Sequence, residues 1–150
     1  MNVNIYTDGG CKGNPGPGAW AFVCYSSSRM IFLQSGSIEY TTNNRMELFA
    51  VLQALQYCIL RKEFGKVTIF TDSQYVQKGI TKWIIQWEQQ KWRTSGKKEV
   101  KNKDLWKELL NISKKMKVSW QWIKGHSNSL ENNTCHNLVQ KELFFYSSST

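Results

Sequence analysis

Apolar positions in this chain alternate, bunch together or recur at helical spacing, and each pattern marks an element. Val3-Asn4-Ile5-Tyr6-Thr7-Asp8, rich in β-branched and aromatic residues, reads as a strand. The pattern returns almost letter for letter as Val67-Thr68-Ile69-Phe70-Thr71-Asp72. The first strand ends at Asp8, and Gly9 to Gly18, with five glycines and both prolines, reads as a shaped turn. Ala19 to Tyr25 and Met30 to Ser37 follow as strands joined across Ser26-Ser27-Ser28, so the first three strands form an antiparallel meander. Thr41-Thr42-Asn43-Asn44 signals the start of a helix that runs to about Arg61, with Gly65 as its stop. Another helical pattern opens at Asp72-Ser73, after the strand Val67 to Thr71. Asp104 to Met116 is amphipathic, with Leu105, Leu109 and Ile112 inward, and Val118 to Ile123 alternates as a fifth strand. Ser127 to Asn133 is polar and loop-like, Thr134 to Phe144 is a last helix, and the end from about residue 145 to 150 reads as frayed. The class is α/β, and residues 1–150 read as one domain.

Charge changes this picture in one place. The net charge is +9. Residues 78–117 hold twelve Lys/Arg against four Asp/Glu, while the rest of the chain is nearly balanced. That basic stretch is threaded with aromatics: Lys82-Trp83, Trp87, Lys91-Trp92-Arg93, then Lys97-Lys98 and Lys101-Asn102-Lys103. Ser95-Gly96 marks a turn, so the segment from about 80 to 103 reads as a protruding helix–loop–helix. A basic arm on a near-neutral body points to a nucleic-acid backbone as partner, with tryptophans available for stacking. The competing readings are a solvated helical face for the lysines and a small private core for the tryptophans. The four cysteines, Cys11, Cys24, Cys58 and Cys135, have no CxxC spacing, which argues against zinc and fits free thiols in the cytoplasm. No apolar run approaches the ~20 residues of a membrane helix, and no heptad pattern suggests assembly, so a monomer without a membrane partner is expected.

Candidate chemistry lies in the carboxylates. The chain has three aspartates, and two of them close the repeated strands. If those strands lie side by side and parallel, Asp8 and Asp72 emerge together at their carboxyl ends, where open α/β sheets bind ligands. Two such charges repel unless a cation lies between them, so a divalent-metal site is the first hypothesis. Glu47 shares a helical face with Ala50, Val51, Ala54 and Cys58, and is costly to bury there unpaired. Each carboxylate also has a structural reading: an Asp-Gly turn for Asp8, a capping box from Asn44 for Glu47, and an N-cap for Asp72.

Together these motifs resemble type 1 ribonuclease H. Tyr6-Thr7-Asp8-Gly9-Gly10 with Gly13-Asn14-Pro15-Gly16-Pro17-Gly18 is similar to the family's opening. Thr42-Asn43-Asn44-Arg45-Met46-Glu47-Leu48, Thr71-Asp72-Ser73-Gln74-Tyr75-Val76 and Lys124-Gly125-His126 match in the expected order. The arm resembles the basic protrusion of the bacterial branch. The resemblance implies a five-stranded mixed sheet, three antiparallel strands and then two parallel, flanked by helices. It implies an endonuclease that hydrolyses the RNA strand of RNA–DNA hybrids, leaving 5′-phosphate and 3′-hydroxyl ends. Asp8, Glu47 and Asp72 would be catalytic metal ligands for two Mg2+ ions ~3.5–4 Å apart, and His126 the mobile histidine that moves a proton or releases product. Asn14, Asn43, Asn44 and Gln74 match minor-groove contacts. Cys11, Thr42 and Trp83 are further substrate positions, with Lys97, Lys98 and Lys101 on the protrusion.

One position departs from the family. Near the start of the last helix, after Asn132-Asn133-Thr134-Cys135, the pattern has an acid and this chain has His136. Three carboxylates and an imidazole would then hold the metals. Mg2+ prefers oxygen while Mn2+ accepts imidazole nitrogen more readily, so weaker Mg2+ binding and a relative gain with Mn2+ are expected. Two other functions stay open: a hybrid-binding module with weakened or absent catalysis, and an integrase-like domain acting on duplex DNA. Asn43-Asn44, Gln74 and the tryptophan arm argue against the second.

Overall fold

The computed structural model describes residues 1–94, 96, 98–124 and 129–148. Its elements are β1 (Val3–Cys11), β2 (Gly16–Ser26), β3 (Arg29–Thr41), α1 (Asn43–Ile59), β4 (Val67–Thr71), α2 (Gln74–Lys78), α3 (Ile84–Gln89), α4 (Lys103–Lys114), β5 (Val118–Trp122) and α5 (Leu130–Ser148). A π-helical turn, Gly79–Trp83, joins α2 to α3. The sheet order is β3-β2-β1-β4-β5. β1–β2 and β2–β3 are antiparallel, and β1–β4 and β4–β5 are parallel, the mixed arrangement expected.

Strand alternation divides the side chains between two layers. Ile5 of β1, Phe22 of β2 and Ile69 of β4 pack with Leu48, Val51, Leu52 and Leu55 of α1 and with Trp106 of α4. On the opposite face, Ala19, Ala21 and Val23 of β2 pack against Cys135, Val139 and Leu143 of α5, with Tyr6 at the edge. The register pairs Val3 with Val67 through Tyr6 with Phe70. This is the shared phase of the sequence repeat, and it carries Asp8 and Asp72 to the same sheet edge. Among the described residues no helix is long and apolar enough to cross a membrane.

Several boundaries differ from the sequence expectation. β1 continues past Asp8 to Cys11 and β2 begins at Gly16, with Gly9 opposite Trp20 and Cys11 opposite Gly18. Gly13 keeps the turn, at φ 75°, while Gly9 and Gly18 serve close packing within the strands: a Cβ on Gly18 would lie 2.3 Å from Thr41 Cγ2. β3 is longer than Met30 to Ser37, and α1 ends at Ile59, capped by Leu60. α5 starts at Leu130 rather than Thr134, where Ser129 Oγ accepts from the Asn132 amide at 3.2 Å. It continues through Ser148, past the expected frayed end at 145.

The arm's tryptophans fold onto its base. Trp83 and Trp87 have ring centroids 5.5 Å apart, Trp87 lies 5.5 Å from Trp106, and Trp92 is buried. Aromatic packing of this kind fixes the arm to the body. The private-core reading therefore holds for Trp92, while Trp83 and Trp87 stay half-buried.

Candidate active site

Three carboxylates meet where β1, β4 and α1 converge. Ligand atoms of Asp8, Glu47 and Asp72 all lie within 4.8 Å of one another. Asp8 stands on β1 and Asp72 directly after β4. Ser73, not Asp72, caps α2: its Oγ accepts from the Val76 amide at 3.1 Å. The N-cap of α1 is Thr42, whose Oγ1 accepts from Arg45 N at 3.3 Å, so no capping box occupies Glu47. Glu47 instead reaches back to β1, where its Oε1 accepts from the Gly9 amide at 3.2 Å. That approach requires glycine, because a Cβ on Gly9 would lie 2.4 Å from the Met46 carbonyl carbon.

Burial and mutual repulsion set the electrostatics. Glu47 is 6% exposed, and its Oε2 is buried with no hydrogen-bond partner. Burial, then the charges of Asp8 and Asp72, push the Glu47 carboxyl well above the ordinary glutamate range. Burial and Asp72 also raise Asp8, against the opposing pull of His136 and the Gly9 amide. An orphaned buried oxygen among three crowded carboxylates is the donor set a hard divalent cation satisfies. The residues present fit such an ion.

α5 supplies the outer wall. His136 Nδ1 lies 2.9 Å from Asp8 Oδ2, with the His136 side chain 57% exposed. When Asp8 is ionised, Nδ1 is the donor of this hydrogen bond and Asp8 Oδ2 the acceptor. His136 is not part of the three-carboxylate group within 4.8 Å. A cavity of about 250 Å³ is lined by Asp8, Gly9, Glu47, Asp72, Asn132, Asn133 and His136. Asn132 and Asn133 were missed in the sequence because 127–133 read as loop. With helix beginning at Leu130, Asn132 stands one turn before His136, a spacing that would have revealed it.

The positions expected from the sequence to meet substrate spread from this cleft toward the arm. Asn14 Oδ1 accepts from the Asn43 amide at 2.8 Å, tying the β1–β2 turn to α1. A second cavity, about 320 Å³, is lined by Asn14, Thr42, Asn44, Lys101 and Asn102. Asn43, Gln74, Lys98 and Lys101 are exposed, and Trp83 packs on Tyr75 at 6.0 Å. Cys11 Sγ is spent on the carbonyls of Gly16 and Thr41, both at 3.4 Å. His126 and Lys97 lie outside the described residues.

Converging carboxylates at the edge of this mixed sheet form a site that fits a divalent cation. The RNase H family model matches residues 1–144. Proteins named Ribonuclease H from Treponema denticola and Methylococcus capsulatus are 44% and 48% identical to the chain, each over 93% of it, covering 95% and 87% of their own lengths. The chain belongs to the RNase H family. Among solved structures, LC9-RNase H1, described as a type 1 RNase H with the type 2 active-site motif, is 31% identical with a TM-score of 0.79, over 93% of this chain and 71% of that one. A foamy viral protease-reverse transcriptase in complex with an RNA/DNA hybrid shares the fold, with a TM-score of 0.83 at 18% identity over 95% of this chain and 20% of that one.

Proposed function

We propose that this member of the RNase H family is an endonuclease that hydrolyses the RNA strand of RNA–DNA hybrids, leaving 5′-phosphate and 3′-hydroxyl ends. One observation carries the reading: Asp8, Glu47 and Asp72 within 4.8 Å, with a buried Glu47 oxygen left unpartnered. Asp8, Glu47 and Asp72 would hold two divalent ions, which would supply charge neutralisation of the scissile phosphate, an activated water and stabilisation of the leaving oxygen. The chain's own task is to hold the ligands still. The Gly9 amide fixes Glu47, and His136 Nδ1 fixes Asp8. His136 adds a nitrogen donor beside Asp8 at the wall of this cavity, which supports Mn2+ alongside Mg2+. His126 moves a proton or helps product leave.

Polar side chains around the cleft read the substrate. Asn14, Asn43, Asn44 and Gln74 both donate and accept, as recognition of a 2′-hydroxyl requires. Thr42 and Trp83 complete the track, Cys11 borders it with its thiol turned to the Gly16 and Thr41 carbonyls, and Lys97, Lys98 and Lys101 take phosphates on the arm. Residues 1–150 work as one domain and as a monomer. A cytoplasmic location is supported by the four free thiols.

The test is cleavage of a labelled RNA–DNA hybrid in Mg2+ or Mn2+, beside single-stranded RNA and duplex DNA. Cutting of RNA only within the hybrid is expected. Tight hybrid binding without cutting, the reading that His136 in place of an acid favours, would overturn the assignment of catalysis. Cutting of duplex DNA would overturn the substrate class.

A further inference from the structure

We propose that Arg45 and Asp104 form a latch that positions the basic arm relative to the carboxylates, so that a hybrid spanning both is held in register; this rests on the hybrid-endonuclease reading above. Arg45 sits in the first turn of α1, two residues before Glu47. Its guanidinium forks onto Asp104 in the first turn of α4, with Nη1–Oδ1 at 3.0 Å and Nη2–Oδ2 at 2.8 Å. Nη1 also donates to Asn102 Oδ1 at 3.2 Å. Asn102 is held at φ 61°, a left-handed conformation asparagine tolerates, and its Nδ2 donates to the Tyr75 hydroxyl at 3.0 Å. The same hydroxyl accepts from Trp106 Nε1 at 2.9 Å. Tyr75 lies on α2, three residues past Asp72. One chain of hydrogen bonds thus joins the element bearing Glu47, the base of the arm and the helix that follows Asp72.

Stability alone is a weak reason for this arrangement. Asp104 is 64% exposed and Arg45 34%, and ion pairs at that exposure contribute little to folding. A bidentate fork instead fixes distance and orientation. Asp104 is also a negative charge in a basic segment, two residues from Asn102 on the wall of the second cavity. Charge alone makes it a liability beside a polyanion. Phosphates gripped by Lys98 and Lys101 assist cleavage at the carboxylates only when the distance between the two is fixed. Arg45 and Asp104 are positioning residues in this account, acting through the arm.

The experiment compares the parent with Asp104→Asn on two RNA–DNA hybrids, one long enough to reach the arm and one whose DNA strand ends before it. Steady-state cleavage, the distribution of cut sites and binding by fluorescence anisotropy are all recorded. On the long hybrid KM should rise by about two- to fivefold, the range an ion pair at this exposure supports, and the cut sites should spread. Behaviour on the short hybrid should not change. Tyr75→Phe, which keeps the ring and removes the hydroxyl, should shift the long hybrid in the same direction and serves if Asp104→Asn fails to fold. Tighter binding of the long hybrid by Asp104→Asn, as loss of a negative charge by itself gives, would overturn the latch. So would equal losses on both hybrids, or no change on either. A parent that cleaves neither hybrid would instead overturn the endonuclease reading, and the binding difference would still decide the latch.

Discussion

Glu47→Gln isolates the electrostatic tension of the site while keeping its shape. The parent side chain is 6% exposed, with Oε1 on the Gly9 amide and Oε2 without a partner. Without metal, its charge faces those of Asp8 and Asp72 across at most 4.8 Å between ligand atoms. At an effective dielectric near 20, each pair at that separation repels by about 3.5 kcal/mol. Protonation of Glu47 relieves the repulsion and caps its cost. Taking up a proton costs about 1.4 kcal/mol per pH unit above the ordinary glutamate value near 4.3, or about 4 kcal/mol at pH 7.5. Glutamine keeps the acceptor for Gly9 and turns an amide N–H toward the aspartates, at about 1–2 kcal/mol for a buried amide with incomplete partners. The metal-free variant should therefore be about 2–3 kcal/mol more stable than the parent, a rise of about 4–12 °C in Tm for a chain of this size. Thermal unfolding in EDTA at pH 7.5 measures it. An unchanged or lowered Tm would mean that the carboxylates are not crowded, and the metal-site argument would lose its physical basis.

Further outcomes follow from the same geometry. Burial and neighbouring charge raise Glu47, so between the ordinary and folded pKa values the native state binds more protons than the unfolded chain, and metal-free stability falls as pH rises through that window. The gap between parent and Glu47→Gln in urea midpoint should thus widen from pH 5 to pH 8; a constant gap would contradict the raised pKa. Neutralising Lys97, Lys98 and Lys101 together should reduce the slope of log K against log salt by about 0.7–0.9 per lost phosphate contact, whereas an unchanged slope would make the arm a solvated face. His136→Asp should strengthen Mg2+ dependence and reduce any advantage of Mn2+ in metal titrations of cleavage, and identical titration curves would remove His136 from the metal site.

The parts of the site written in local pattern were legible in the sequence. Asp8 and Asp72 close two copies of one strand pattern, and the observed register, Val3 on Val67, is that repeat laid side by side. The helix start at Thr42 and the arm's aromatic spacing were readable for the same reason. Long-range contacts were not. Nothing near Glu47 in sequence indicates that it meets the Gly9 amide, 38 residues away. Arg45 and Asp104 are 59 residues apart, and each alone reads as an ordinary charge on a helix. The start of α5 was hidden because Leu130 is exposed and Ser129-Leu130-Glu131-Asn132-Asn133 has no apolar periodicity; a serine cap sets it. Gly9 and Gly18 looked like turn residues because the demand for a missing Cβ comes from α1, Met46 and Thr41, across the fold.

The central claim is that Asp8 holds catalytic metal. Its most direct test is the turnover of Asp8→Asn on a 5′-labelled RNA–DNA hybrid in Mg2+, with hybrid affinity and Tm measured on the same preparation. An amide is a poor ligand for a hard divalent cation. The expected result is loss of RNA cleavage with affinity and fold largely retained. Turnover near the parent's would return Asp8 to the role of an ordinary residue on β1 and contradict the account.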